Sequence, residues 1–326
     1  MPFSSRLSYY QRIFSAYVLG GKSQLTFWHE TPELNADAPL DRLGEYYMVF
    51  AEKARYAGHF DDAGIPMLDY HGRIGLQYNP IAIAQYGLAH YNAFCRNRNS
   101  ASWAKVLAVA DWLVAHLETN AHGVAVWNHH FDWEYRETLR APWYSGLAQG
   151  QGISLLVRAH QLGSDGRYAD AAERAFAAFL RSTDEGGVTF TDERGDLWLE
   201  EYLVKPPTHI LNGMIWAAWG VQDYFLATGN PKAKQVFDLT VQTLLQNLER
   251  YDLGFWSLYE QSGTRLPMVA SAFYHQLHIV QLRVMERLTG EAEFARVAAR
   301  WGRYSRSRMR RWRAFSYKAA FKVWYY

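Results

Sequence analysis

Four segments of this 326-residue chain repeat one design: a helix of aromatic and small residues, a short polar turn, then an amphipathic helix. PIAIAQYGLAHYNAF is followed by SASWAKVLAVADWLVAHL, and SGLAQGQGISLLVRAHQL by GRYADAAERAFAAFLRS. THILNGMIWAAWGVQDYFLATG then precedes NPKAKQVFDLTVQTLLQNL, and FYHQLHIVQLRVMERLTG precedes EAEFARVAARWGRYS. A period of roughly 65 residues marks an array of helix pairs. In the second helix of the first pair, Trp103, Val106, Leu107, Ala110 and Leu113 fall on one stripe, with Lys105, Asp111 and His116 off it. The first helix of each pair is apolar nearly all round and should be enclosed. Inner helices ringed by outer ones make an α/α toroid (barrel), so the expected fold class is mainly α. Alternating stretches such as GVAVWNHHFDW and GVTFTD in the longer connections read as β-hairpins at one rim. Residues 1–70 lie outside the repeat and read as a short extended N-terminal arm packing on a domain of residues 71–326.

The second inner helix is the most unusual. Gly146, Gly150 and Gly152 open it, each costing about 1 kcal/mol against alanine in a helix interior. Bare backbone of this kind admits something that approaches closely. Trp143, Tyr144, Gln149 and Gln151 accompany the glycines, and rings with amides suit a sugar-binding surface. Tight helix–helix packing through glycine accounts for the same pattern.

Composition narrows the function. With 13 Trp, 22 Tyr and 17 Phe, the chain has more rings than a core requires, and a net charge of +2 is not that of a nucleic-acid-binding polycation. Cys95 stands alone, which excludes an internal disulfide and a cysteine-based zinc site and fits a cytoplasmic location. No apolar run is long enough to cross a membrane, and the first 21 residues are too interrupted for a secretory signal. Nucleophile elbow, phosphate loop and dinucleotide fingerprint are all missing. Acid–base chemistry on an aromatic surface remains.

Three segments concentrate groups for it. LWLEEYLVKPPTHILNG holds Glu200, Glu201, Tyr202, Lys205 and His209; YDLGFWSLYEQSGTRLP holds Tyr259, Glu260 and Arg265; SAFYHQLHIVQL holds Tyr274, His275 and His278. Paired loop glutamates also fit a solvated surface, and Tyr274 with His278 also fits a core. His275 and His278, one turn apart, form an incomplete metal pair. His130, Asp132 and Glu134, alternating on a strand, form another candidate metal set. The expectation is no metal and no cofactor.

The ordered combination IAQYGL, WYSGLAQGQ, EEY, ILNG, LYE and YHQLHIVQL resembles the D-glucuronyl C5-epimerase family, the heparan and heparosan epimerases, over roughly Gly75 to Tyr304. The resemblance implies an α/α barrel and inversion of C5 in D-glucuronate residues of a heparosan-like polysaccharide, by proton abstraction and return. It implies catalytic roles for Glu201, Tyr202, Tyr259 and Tyr274. Substrate contacts are expected from Tyr78, Gln85, Tyr86, Trp143, Tyr144, Gln149, Gln151, His209, Asn212, Arg265 and His275. The animal enzymes carry an arginine soon after the LYE tyrosine, and here the nearest is Arg265 in a shorter loop. Their β-rich amino-terminal region is absent or reduced to residues 1–70, as in compact bacterial members.

Negative charge builds on the substrate carboxylate during C5 inversion, so donors such as Arg265 and His275 should face it. An acidic uronate polysaccharide is the expected partner, and the family resemblance suggests a homodimer. The tail RYSRSRMRRWRAFSYKAAFKVWYY carries eight Lys/Arg in 24 residues. It suits an acidic polysaccharide or a peripheral contact with an anionic membrane, or equally a basic helix packed on the domain. Rival functions are a polysaccharide lyase, an inverting glycosidase pairing Glu201 with Asp132 or Glu134, and a non-catalytic polysaccharide-binding protein.

Overall fold

A computed structural model describes residues 27–325, and the part of the expected N-terminal arm before residue 27 lies outside them. The chain is mainly helical, with small antiparallel sheets. It divides into two compact units, one of residues 35–207 and 213–243, the other of residues 27–34, 208–212 and 244–325. Neither is bounded at residue 70. Residues 35–70, expected to belong to the arm, fall in the larger unit together with the helices that follow.

In the larger unit a short helix α1 (Ala51–Ala54) precedes a meander of β1 (His59–Phe60), β2 (Pro66–Asp69) and β3 (Leu76–Gln77). Helix α2 (Pro80–Asn97) starts where Asn79 accepts hydrogen bonds from the Ile81 and Ala82 amides, with Pro80 in the first turn. Every residue from Pro80 to Asn92 is buried, as an all-round apolar helix requires. Asn92 binds the segment before α1, accepting from the Tyr46 amide at 2.6 Å and donating to the Met48 carbonyl at 2.8 Å.

Helix α3 (Ser100–Ala115) buries Ser102, Val106, Val109, Ala110, Trp112 and Leu113. Trp103 and Leu107 of the expected stripe are only half-buried, so the inward face is turned toward Val109 and Trp112. Two hairpins follow, β4 (Leu117–Thr119) with β5 (Ala125–Trp127) and β6 (Trp133–Glu134) with β7 (Thr138–Leu139). Trp127 is fully buried and donates its indole N–H to the Leu113 carbonyl at 2.8 Å, which fixes the first hairpin to α3.

Helix α4 (Gly146–Gly163) is capped by Ser145, whose hydroxyl accepts from the Ala148 amide, and it is buried from Gly146 to Ala159. It is followed by α5 (Gly166–Phe176), the hairpin β8 (Thr189–Thr191) with β9 (Leu197–Leu199), α6 (Leu211–Thr228) and α7 (Pro231–Asn247). The glycines of α4 are packing devices. A methyl on Gly150 would lie 2.6 Å from the Ala217 Cα and 2.9 Å from the Trp216 carbonyl oxygen, while one on Gly220 would strike the Gly150 backbone. On Gly152 it would meet the Trp127 ring, and on Gly146 the Glu200 carbonyl oxygen at 2.7 Å. Of the two readings of this helix, close packing is the one that accounts for the glycines. About two turns further on, Arg158 makes a fully buried bidentate pair with Asp223 of α6 at 2.5 and 3.0 Å. Ser154 and Tyr47 donate to the same carboxylate at 2.6 and 2.7 Å.

The smaller unit contains α8 (Ala272–Thr289), α9 (Ala292–Arg306) and α10 (Arg308–Tyr325). Ser271 caps α8 by accepting from the Tyr274 amide at 3.2 Å, and Gly290 ends it in a left-handed conformation. No helix among the described residues is long and apolar enough to cross a membrane.

Candidate active site

In the larger unit, β9 delivers the acid–tyrosine pair. The Glu200 amide donates to the Val188 carbonyl at 2.9 Å and its carbonyl accepts from the Gly146 amide at 2.8 Å, so the backbone here is held from both sides. Both glutamates are buried, Glu200 at 1% exposure and Glu201 at 5%, which rules out a solvated loop. Glu201 rests on Gly213, the third residue of α6. A methyl at Gly213 would lie 2.6 Å from the Glu201 Cβ and would overlap its carboxylate oxygen Oε2. The first turn of a helix is a favourable place for a negative charge.

Tyr202 is half-buried within a run of rings. Tyr135 packs against it at 4.7 Å, and Trp143 meets it nearly edge-on at 5.7 Å. Trp143 is itself stacked on His129 at 3.8 Å, and its indole N–H donates to the Phe131 carbonyl at 2.8 Å. Burial lowers the His129 pKa to about 3, so this imidazole is a neutral plate behind Trp143. Tyr144 donates its hydroxyl to the Gly186 carbonyl at 2.9 Å. Beside Tyr202 a shallow cleft is lined by Arg136, Glu137, Val204, Lys205 and Pro206. Lys205 pairs with Asp184, whereas Arg136 is exposed and has no acidic partner among the described residues.

Tyr135 and Arg136 were not singled out from the sequence. They form the turn between β6 and β7, and the only signal for them was their place inside WNHHFDWEYRE. The strand-face metal set in that segment does not assemble. His130 bonds Glu118 at 2.7 Å, while Asp132 holds Arg140 and the Ala141 amide. No cluster of three or more His, Cys, Asp or Glu suited to a metal ion occurs among the described residues.

Several expected substrate contacts in this unit have other partners. Gln149 is fully buried, accepts from the Trp127 amide and donates to the Ala125 and Ala175 carbonyls, so it fastens α4 to a hairpin. Gln85 donates to Gln151 at 3.0 Å, both side chains are buried, and each retains one amide atom without a partner among the described residues. Tyr86 is buried against Phe60 and His90. Tyr78 donates to Asp61 at 2.7 Å, a bond that pushes its pKa up to about 12.

In the smaller unit, an isolated bridge between Leu258 and Val269 presents Tyr259. The Tyr259 amide donates to the Met268 carbonyl at 2.8 Å, and its carbonyl accepts from the Leu211 amide at 3.1 Å. Its buried ring meets the half-buried Tyr274 ring of α8 in a T-shaped contact at 4.9 Å, which brings together two of the expected catalytic phenols. Arg265, in the loop between Tyr259 and Met268, is exposed and has no ion-pair partner among the described residues. His209 adopts a left-handed backbone (φ 49°), with its carbonyl accepting from the Tyr251 hydroxyl at 2.6 Å. Asn212 is buried, and its backbone carbonyl accepts from the Gln281 side-chain amide at 3.0 Å.

His275 is a correction. It is fully buried and stacked under Trp256 at 3.8 Å. Its Nδ1 accepts from the Ser257 amide at 3.2 Å and lies 2.7 Å from the Ser257 hydroxyl, while Nε2 lies 3.2 Å from the Trp301 carbonyl. That pattern requires the neutral Nε2–H tautomer, and burial lowers its pKa to about 3. It orders the loop before Tyr259 and is not a cation for the substrate carboxylate. His278, also buried, shares the Ser257 hydroxyl at 3.1 Å.

Both phenol-bearing segments fall within residues 120–303, which match the family model described as D-glucuronyl C5-epimerase C-terminus. A D-glucuronyl C5-epimerase of Caenorhabditis elegans is 28% identical over 213 residues, covering 61% of this chain and 34% of the relative, so the match spans about a third of that protein's length. In fold the chain is similar to the crystal structure of D-mannose isomerase, with a TM-score of 0.50 at 11% identity, over 77% of this chain and 66% of that one. Because the matching family model covers more than half of its residues and includes the acid–tyrosine pair and both further tyrosines, the chain belongs to the D-glucuronyl C5-epimerase C-terminus family.

Proposed function

We propose that this protein is an epimerase that inverts C5 of D-glucuronate residues to L-iduronate within a heparosan-like polysaccharide. The observation that carries the reading is the buried Glu201 seated on bare helix backbone beside Tyr202 in a wall of rings. The α/α-barrel class belongs to the same reading and is supported by the likeness in fold to D-mannose isomerase.

The chemistry removes the C5 proton on one face of the sugar and returns a proton from the other, so it calls for two groups of matched proton affinity. Glu201 is a carboxylate able to accept a proton or to orient its neighbour, and the phenols of Tyr202, Tyr259 and Tyr274 supply O–H groups of high intrinsic pKa. The enediolate-like intermediate gathers charge on the carboxylate, which an aimed cation stabilises. Arg265 and Arg136, exposed and without acidic partners among the described residues, fit that role. Trp143 and Tyr144 are the ring surface on which a sugar would stack.

Incubating the protein with heparosan in deuterated water tests this directly. Deuterium at C5 and new iduronate signals in the NMR spectrum, without ultraviolet absorbance from unsaturated uronate, are expected. Unsaturation would instead establish a lyase, which shares the first proton abstraction and then expels the C4 substituent. Absence of both on every uronan tried would leave a binding protein.

A further inference from the structure

The strongest feature outside the candidate active site is the exposed face of α10. Met309, Trp312, Arg313, Ser316, Ala320 and Trp324 are exposed, and at 100° per residue they fall within one arc of about 120°. Ala314, Lys318 and Phe321 occupy the opposite side and are buried, with the Lys318 ammonium donating to the Val269 carbonyl at 2.8 Å. The helix is therefore anchored by one face, and its other face presents large apolar groups to solvent: Met309 is 81% exposed, Trp312 46% and Trp324 73%.

Charge around this stripe has one sign. No acidic residue follows Glu293 in the sequence. Glu293 of α9 pairs with Arg296, and before α8 Glu249 pairs with Arg296 and Arg300 and Asp252 with Arg300, while Glu291 stands exposed at the far, N-terminal end of α9. Arg303, Arg306, Arg308, Arg310, Arg311 and Arg313 make no ion pair among the described residues; Arg310 lies over the Tyr304 ring and Arg313 over the Phe255 ring.

We propose that this face of α10 docks on an anionic phospholipid bilayer, lying in the plane of the headgroups. Arginine clusters attract anionic lipid, and tryptophan favours the interface between headgroup and acyl chain. A polyanionic sugar would account for the arginines but leave Met309 without a role, whereas a bilayer takes up both. The helix does not cross the membrane; it rests on it.

Co-sedimentation of the full chain with phosphatidylcholine vesicles, with and without phosphatidylglycerol, tests the proposal. Binding is expected only where phosphatidylglycerol is present, and exchange of the exposed Arg308 and Arg313 for Gln should weaken it about tenfold or more. The triple variant Met309→Ser, Trp312→Ser, Trp324→Ser alters exposed positions and gives up the ring contact of Trp312 with Phe315, and far-ultraviolet circular dichroism verifies its fold. It should lose about tenfold or more in vesicle binding and keep its turnover on free polysaccharide. No binding to phosphatidylglycerol vesicles would overturn the proposal. So would undiminished vesicle binding by the triple variant, or binding abolished by competing heparosan, since either makes the face a plain polyanion surface.

Discussion

Tyr202 shows how much of the proposed chemistry can be separated from packing. Replacing it by phenylalanine keeps the ring against Tyr135 and Trp143 and removes only the hydroxyl. C5 exchange should fall by about 10²–10⁴-fold, with the thermal midpoint nearly unchanged; full turnover in Tyr202→Phe, Tyr259→Phe and Tyr274→Phe alike would end the assignment. Gly213→Ala makes a sharper test. Alanine favours the helix by about 1 kcal/mol, but its methyl would displace the Glu201 carboxylate. Activity should drop while α6 gains intrinsic stability, measured by exchange kinetics beside thermal denaturation. The motifs that carry Glu201, Tyr202, Tyr259 and Tyr274 were legible as family motifs, and all four fall within the matched residues 120–303. His275 was misread through its adjacency to Tyr274. Neighbours on a helix point about 100° apart, so one ring faces outward and the next is buried under Trp256.

At the scale of elements, the all-round apolar character of α2 and α4 was enough to predict their burial, and cap residues such as Asn79, Ser145 and Ser271 mark their starts. What the glycines of α4 face could not be read, because Ala217 and Gly220 are contributed by a helix far along the chain. The same holds for Arg158, whose partner Asp223 carries no periodic signal. Arg158→Ala leaves a carboxylate buried without its cation, and equilibrium denaturation should show a loss of about 3–5 kcal/mol. Gly150→Ala should cost about 1–3 kcal/mol through overpacking, although helix propensity alone predicts a gain. A more stable Gly150→Ala protein would mean that α4 and α6 do not meet as described.

Across the whole molecule, the repeat announced helix pairs but not how the chain is shared between compact units, since residues 208–212 join a unit otherwise formed from residues 27–34 and 244–325. The buried histidines give the molecule a pH dependence. Burial lowers His129 and His275 to about 3 and His90 to about 4, against about 6.5 in an unfolded chain. Between those values the unfolded state binds more protons, so stability is full above about pH 6.5 and declines as pH falls toward 3. Each histidine adds at most about 1.4 kcal/mol per pH unit. Thermal midpoints measured from pH 7 to pH 4 should fall, and His129→Phe, which keeps a ring behind Trp143, should make the decline shallower. The contact of Gly150 with Gly220 bears on motion as well as stability. Where two backbones touch directly, no side chain can change rotamer to absorb a displacement, so α4 and α6 must travel together. Any adjustment of shape within this unit would then fall to segments outside the crossing.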